Sequence, residues 1–304
     1  MRLVLLFSGQ GEQSLEHRDA LLSAPPGIRG AVERSLGVHD LSRLSQESLW
    51  DNQVAQLLIW GVQIARWKQL CAWGIEPLMV CGYSAGKMAA CEAAGWWSEG
   101  AGAALVATRA SLMSQAACLW NAPSGMVAVQ VSGARLQQVL SGLVAEVAIR
   151  MGEDRYVVGG LESSLDELES RLRSVPGTSS QRLRVRVPAH TSLLASALEP
   201  WRHALGAAMG PASCLPVLSD VMAREIRNRD MMLSALSRQI CTALSWKDCL
   251  DSLMESRADT LLEIGPGNAL IRMAMHHGVR CRARSWDDFR SSEAVCDWLR
   301  GTGS

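Results

Sequence analysis

The sequence predicts an α/β fold of two lobes, one built on a parallel sheet and one smaller, and three observations lead there. Short apolar runs alternate with helical patterns through the first 118 residues, the order that builds a parallel sheet flanked by helices. From about residue 123 the order changes to β-α-β-β-α-β. A length of 304 residues is long for one simple domain and short for two large ones, so one large core with a smaller inserted lobe accommodates it.

The elements follow in order. Residues 2–7 are an apolar run that suits a buried parallel strand, and they lead into the loop Ser8-Gly-Gln-Gly-Glu-Gln13. Apolar positions recur at helical spacing over 54–72. Residues 78–81 read as a short strand, 84–94 as a helix stopped by Gly95, and about 101–118 as a further helix. Next, 126–131 is strand-like, and Leu136, Val139, Leu140, Leu143 and Val144 recur at helical spacing. Residues 147–151 and 156–158 are short strands, and Leu165, Leu168, Leu172 and Val175 mark a helix face. Residues 182–187 alternate Arg with Leu or Val, the period of a half-buried strand. These elements make a ferredoxin-like (βαββαβ) lobe over 123–190, set between two parts of the large lobe, 1–122 and 191–304. The chain then returns to helices, and a strand over 260–264 runs into the turn Gly265-Pro-Gly267.

Composition narrows the partners. Lys+Arg and Asp+Glu are both 30, so no basic excess points to nucleic acid. No run approaches the eighteen apolar residues of a membrane span, and the N-terminal run is too short for a signal segment. The nine cysteines include no C-x-x-C pair and sit mostly in apolar segments, where free thiols act as small hydrophobes. A reducing cytoplasm is the expected setting.

The chemistry centres on Gly82-Tyr83-Ser84-Ala85-Gly86, a G-x-S-x-G elbow between an apolar strand and a helix. The sharp turn lifts the Ser84 hydroxyl from the sheet, and the following helix N-terminus aims free N–H groups at it. A capping serine in an ordinary strand–turn–helix is the competing reading. A serine nucleophile needs a base. Of the six histidines, His190 is the best placed, in a loop where the chain passes between lobes. His276 and His277 read as a surface pair near a helix end, and His17, His39 and His203 as solvated. Arg109 shares a helix face with Leu105, Leu112 and Ala116, where a cation is costly unless it meets an anion. It is either half of a structural ion pair or a fixed fork for a substrate carboxylate. Arg182, Arg184 and Arg186 share one strand face before His190, which suits either an acidic partner or plain solvation.

Taken together these segments resemble the malonyl-CoA:acyl carrier protein transacylase family. Phe7-Ser-Gly-Gln-Gly-Glu-Gln13 is similar to its F-P-G-Q-G-x-Q opening, and the Ser84 elbow to its G-H-S-x-G. Arg109 with Leu112-Met113-Ser114-Gln115 is similar to its R-x-x-x-M-Q helix, and Gly125-Met126-Val127-Ala128-Val129 to the start of its small lobe. Val187-Pro188-Ala189-His190 is similar to its V-P-x-H, the stretch from Leu236 through Gln239 to Trp246 to its R-Q segment, and Glu263-Ile-Gly-Pro-Gly267 to its glycine-proline turn. Seven matches in order cover residues 3–273.

The resemblance implies an α/β-hydrolase-like large lobe and an S-malonyltransferase that moves malonyl from malonyl-CoA to an acyl carrier protein. Ser84 would be the nucleophile and His190 its base. The N–H groups of Gln10 and Ala85 would hold the oxyanion, the Gln239 backbone carbonyl would orient His190, and Arg109 would bind the malonyl carboxylate. No metal or cofactor is implied. Tyr83 and Lys87 depart from the usual His and Glu. A G-Y-S-x-G elbow is most similar to the transacylase (epsilon) subunit of malonate decarboxylase, with a fatty-acid or polyketide transacylase as the alternative. An esterase or thioesterase, or a non-catalytic complex subunit, are the further alternatives.

Overall fold

Five consecutive buried residues make β1 (Leu3–Phe7) a strand covered on both faces, the condition of a central strand in a parallel sheet. The computed structural model describes residues 1–98 and 100–301; residue 99 and the last three residues of the expected large lobe lie outside it. The remaining strands are β2 (Met79–Gly82), β3 (Ser124–Gln130), β4 (Ala145–Arg150), β5 (Arg155–Leu161), β6 (Ser179–Arg182), β7 (Ala212–Leu218), β8 (Glu225–Asn228), β9 (Leu244–Ser245), β10 (Thr260–Gly265) and β11 (Arg282–Ser285).

They form two sheets. The large one has the order β11-β10-β1-β2-β7-β8 and is parallel except for the antiparallel pair β7–β8. The second has the order β6-β3-β5-β4-β9, and its first four strands are mutually antiparallel. Within the βαββαβ run the spatial order is fourth-first-third-second, the ferredoxin-like arrangement the sequence predicts. β9 comes from the large-lobe part of the chain and pairs in parallel with β4, at Ile149–Leu244 and Arg150–Ser245.

Strand periodicity places the cleft. On β3, Val127 and Val129 pack into the small lobe's own core with Leu165, Leu168 and Leu172, whereas Met126 joins the large core. On β5, Val158 faces inward and Val157 outward in the same way. One face of the small sheet is thus covered by its two helices and the other turns toward the large lobe.

One strand differs from the sequence expectation. β6 covers Ser179–Arg182, and residues 183–187 run on outside any strand. The Leu183 N–H still donates to the Met126 carbonyl of β3, and the Ser124 hydroxyl reaches the Arg186 carbonyl, but no ladder continues. Leu183 and Val185 instead line the cavity beside Ser84. Their alternation with arginine reports a cleft wall with one wet side, which has the same period as a half-buried strand.

Candidate active site

The elbow is held by backbone proximity. After β2 the chain turns through Tyr83, Ser84 and Ala85 into the helix Gly86–Ala93. A side chain at Gly82 would overlap the Lys87 backbone, and one at Gly86 would overlap the carbonyl oxygens of Phe7 and Ser8. Both positions therefore demand glycine. Ser84 itself has φ 52°, a left-handed conformation that costs a non-glycine residue about 1–3 kcal/mol unless its surroundings hold it. They do. The Ser84 N–H donates to Asp220 Oδ2 at 3.2 Å, and its carbonyl accepts from Gln239 Nε2 at 3.2 Å.

His190 meets Ser84 from the far side of the cleft. Its Nε2 lies 2.7 Å from Ser84 Oγ, and its Nδ1 lies 2.5 Å from the Gln239 carbonyl. A carbonyl only accepts, so Nδ1 carries the proton and Nε2 of the neutral ring is free to take one from the hydroxyl. His190 also has a left-handed backbone, φ 64°, and is anchored by its N–H to the Ile240 carbonyl at 2.8 Å. Burial, reinforced by the Arg109 charge, pulls the His190 pKa down to about 4, against the Gln239 hydrogen bond and Asp220, which raise it. At neutral pH the ring is an uncharged base.

Arg109 lies on the helix Ala101–Cys118 with 1% exposure. Its guanidinium donates to Gln56 Oε1 at 2.6 Å and Gln239 Oε1 at 3.2 Å, and its buried Nε has no partner. Both acceptors are neutral. Burial pulls its pKa down to about 10 while Asp220 opposes the fall, so it stays a cation. Asp220 in turn pairs with the buried ammonium of Lys87, 3.5 Å away. Two cations thus share one carboxylate in a dry region, a local excess of positive charge that an incoming anion would neutralise.

Ser84, His190, Gln10 and Tyr83 line one small cavity of about 50 Å³, closed by Met126, Ile149, Val157, Leu183, Val185 and Ala189. Tyr83 packs edge-on against Trp246. Ala85 stands at the N-cap of the elbow helix, so its N–H is one of the unpaired donors of a first turn. The loop that carries Gln10 is tied down from behind. Buried Glu263 accepts from the Ser8 hydroxyl at 2.7 Å and from the N–H groups of Leu270 and Ile271, and burial raises its pKa to about 7. Glu263 and the turn after it do not line the cavity.

The structure therefore brings Ser84, His190, Gln10, Ala85, Gln239 and Arg109 into one neighbourhood. Three features escaped the sequence. Asp220 sits just past β7, and only its place at the C-terminal end of a parallel strand signals it. Gln56 is a buried amide on the helix Asn52–Ala72, as are Asn52 and Gln63, and its sequence does not set it apart from them. The Gln239 side chain, expected to contribute only its carbonyl, bonds Ser84, Asp220 and Arg109 at once. One histidine needs correction: His17 is buried, held between Ser14 and Asp287 at 2.8 Å each. Among the described residues no His, Cys, Asp or Glu cluster is placed to hold a metal, and no helix is long and apolar enough to cross a membrane.

Comparison with known proteins bears on the family and the fold. A malonyl CoA-acyl carrier protein transacylase of Synechocystis sp. is 27% identical over 281 residues, 89% of this chain and 92% of that protein. Mycoketide-CoA synthase of Mycobacterium tuberculosis is 27% identical over 89% of this chain, which spans only 7% of the synthase. The chain likewise spans 4% and 13% of two Streptomyces polyketide synthase proteins. Among solved structures, FabD from Acinetobacter baumannii superposes with a TM-score of 0.85 at 25% identity, covering 99% of this chain and 98% of that one. The Coxiella burnetii transacylase reaches 0.88 at 20% identity over 100% and 98%, a likeness of fold. A family model for the acyl transferase domain matches residues 4–304, and the chain belongs to that family.

Proposed function

We propose that this protein is a malonyl-CoA:acyl carrier protein S-malonyltransferase that works by a ping-pong route through malonyl-Ser84. The carrying observation is the line Ser84–His190–Gln239 carbonyl beside a buried arginine held only by amide oxygens. His190 Nε2 takes the hydroxyl proton as Ser84 Oγ attacks the thioester carbonyl. The oxyanion is met by the N–H groups of Gln10 and Ala85, each worth about 2.7–4 kcal/mol on removal. The C–S bond breaks, and coenzyme A leaves as a thiol with the proton returned by His190. A carrier thiol then repeats the sequence on malonyl-Ser84. Arg109 holds the free malonyl carboxylate through its planar fork.

The Synechocystis and Acinetobacter relatives support a fatty-acid or polyketide carrier as acceptor. The Tyr83 elbow supports the carrier of malonate decarboxylase, with its phosphoribosyl-dephospho-CoA arm. We favour the first, on the breadth of the match. Incubation with malonyl-CoA followed by intact-mass spectrometry tests the chemistry. A malonyl adduct is expected. Coenzyme A release without adduct would make the protein a thioesterase, and no reaction would make it a non-catalytic subunit. Transfer to a phosphopantetheine carrier and to the decarboxylase carrier, side by side, tests the acceptor.

A further inference from the structure

A lysine in the first turn of a helix built mostly from small residues, packed under a sheet, is the least expected side chain of the elbow. Lys87 has 2% exposure, and an ammonium so placed is strongly unfavourable unless paired and hydrogen-bonded. Its Nζ donates to the Leu218 carbonyl and lies 3.5 Å from Asp220 Oδ1. Burial works against the charged form, but Asp220 opposes it and the Lys87 pKa is raised, so the ammonium stays charged.

The other carboxylate oxygen faces the nucleophile. Asp220 Oδ2 accepts from the Ser84 N–H at 3.2 Å and from Gln239 Nε2 at 2.8 Å. The same Gln239 nitrogen donates to the Ser84 carbonyl at 3.2 Å. Both polar groups of the Ser84 backbone are thus held, one by Asp220 and one by the side chain Asp220 orients. The Gln239 backbone carbonyl holds the His190 ring. Nucleophile and base hang from one frame, with Asp220 as its anchoring charge and Lys87 as its countercharge.

We propose that Lys87 and Asp220 are positioning residues of the acyl-transfer site, a buried ion pair that fixes the backbone of Ser84 and, through Gln239, the ring of His190 in reacting geometry. Neither lines the cavity beside Ser84, so the pair acts chiefly on turnover. The proposal rests on the acyl-transfer reading only for its steady-state readout.

The test uses Lys87→Met, Asp220→Asn and the double variant, below the melting temperature of each. Two quantities are measured: the rate at which a fluorophosphonate labels Ser84, and kcat and KM with malonyl-CoA. Each single variant should lose roughly ten- to hundred-fold in labelling rate and in kcat, the size of one charge-assisted hydrogen bond, with KM changed less than about twofold. The double variant should be no worse than the poorer single, because the two residues act as one unit. It removes one charge of each sign, so it still carries the test if a single variant does not fold. The fluorophosphonate reports the Ser84–His190 pair without a malonyl group, so a protein that refuses malonyl-CoA still answers the question. Variants that melt lower yet label at the wild-type rate would overturn the proposal, as would a rise in KM at constant kcat or losses that multiply in the double variant.

Discussion

Arg109 and Arg182 each reach across a lobe, and their partners differ in kind. Arg182, at the end of β6, spreads its nitrogens over Glu162, Asp166 and Glu169 at 2.6, 2.6 and 3.0 Å, all from the helix Glu162–Arg173. Arg109 meets two amide oxygens and keeps Nε unpaired, and among the described residues no carboxylate lies within ion-pair distance of it. A guanidinium saturated with carboxylates has nothing left to offer a ligand. One held in place by neutral acceptors is oriented but not neutralised, which is what a selective anion site requires. The same contrast takes Arg182 out of the basic docking edge suggested by Arg182, Arg184 and Arg186, whereas Arg184 and Arg186 stay exposed. Arg184 lies over the Trp50 ring at 4.9 Å, and Arg186 pairs with Glu47 at 2.8 Å.

The sharpest break of this contrast comes at the nucleophile both arginines are measured against. Ser84→Ala should abolish the malonyl adduct, a loss on the order of 10⁶-fold in turnover, while the far-ultraviolet spectrum stays that of the wild type. A labelled acyl group on that variant would place the nucleophile elsewhere and leave Arg109 without a site to serve.

Next in size is Arg109→Ala. Malonyl loading should fall roughly ten- to hundred-fold while acetyl loading is spared or rises, and Arg109→Lys should recover little because an ammonium lacks the fork. Initial acylation rates with both thioesters decide it. Equal losses for the two would make Arg109 a structural residue like Arg182.

A smaller effect separates the fields of the two arginines. With its pKa near 4, His190 stays neutral well below the usual histidine range. Acylation should therefore change less than about twofold from pH 7 to 5.5, where an ordinary histidine would give about a tenfold fall. The Arg109 charge is part of the cause, so Arg109→Ala should move the acid limb upward, and Arg182→Ala should leave it in place. Stability follows the same sign. The folded pKa lies below the unfolded 6.5, so the unfolded chain takes the proton first, and the protein loses stability as pH falls from about 6.5 toward about 4.

The smallest effect belongs to Arg182→Ala. Removing a partly exposed network costs about 1 kcal/mol, a few degrees in melting temperature, with both half-reactions unchanged. Slowed transfer to the carrier at normal loading would put Arg182 back in the docking edge.

What the sequence made legible follows from distance along the chain. The elbow is five consecutive residues, and Arg109 was found from the face it shares within one helix. Strand and helix order could be read because each element carries its own period. What stayed hidden was set by partners far away. Asp220 lies 136 residues from Ser84, and Gln56 lies 53 from Arg109. His17 looked solvated because Asp287, 270 residues on, is what buries it. The last small-lobe strand was misplaced for another reason: a cleft wall and a ladder strand alternate alike, and only the missing partner hydrogen bonds tell them apart.

β9 is two residues long, yet it ties the two lobes together. Besides the two places where the chain crosses between lobes, Leu244 and Ser245 form a third seam by pairing with Ile149 and Arg150. Parting the lobes like jaws would tear that seam and expose its backbone groups. Turning Met126, Leu183 and Val185 aside, in the wall of the 50 Å³ cavity, breaks no backbone hydrogen bond of either sheet. A change of rotamer there would widen the cleft while leaving in place the backbone that carries Ser84 and His190.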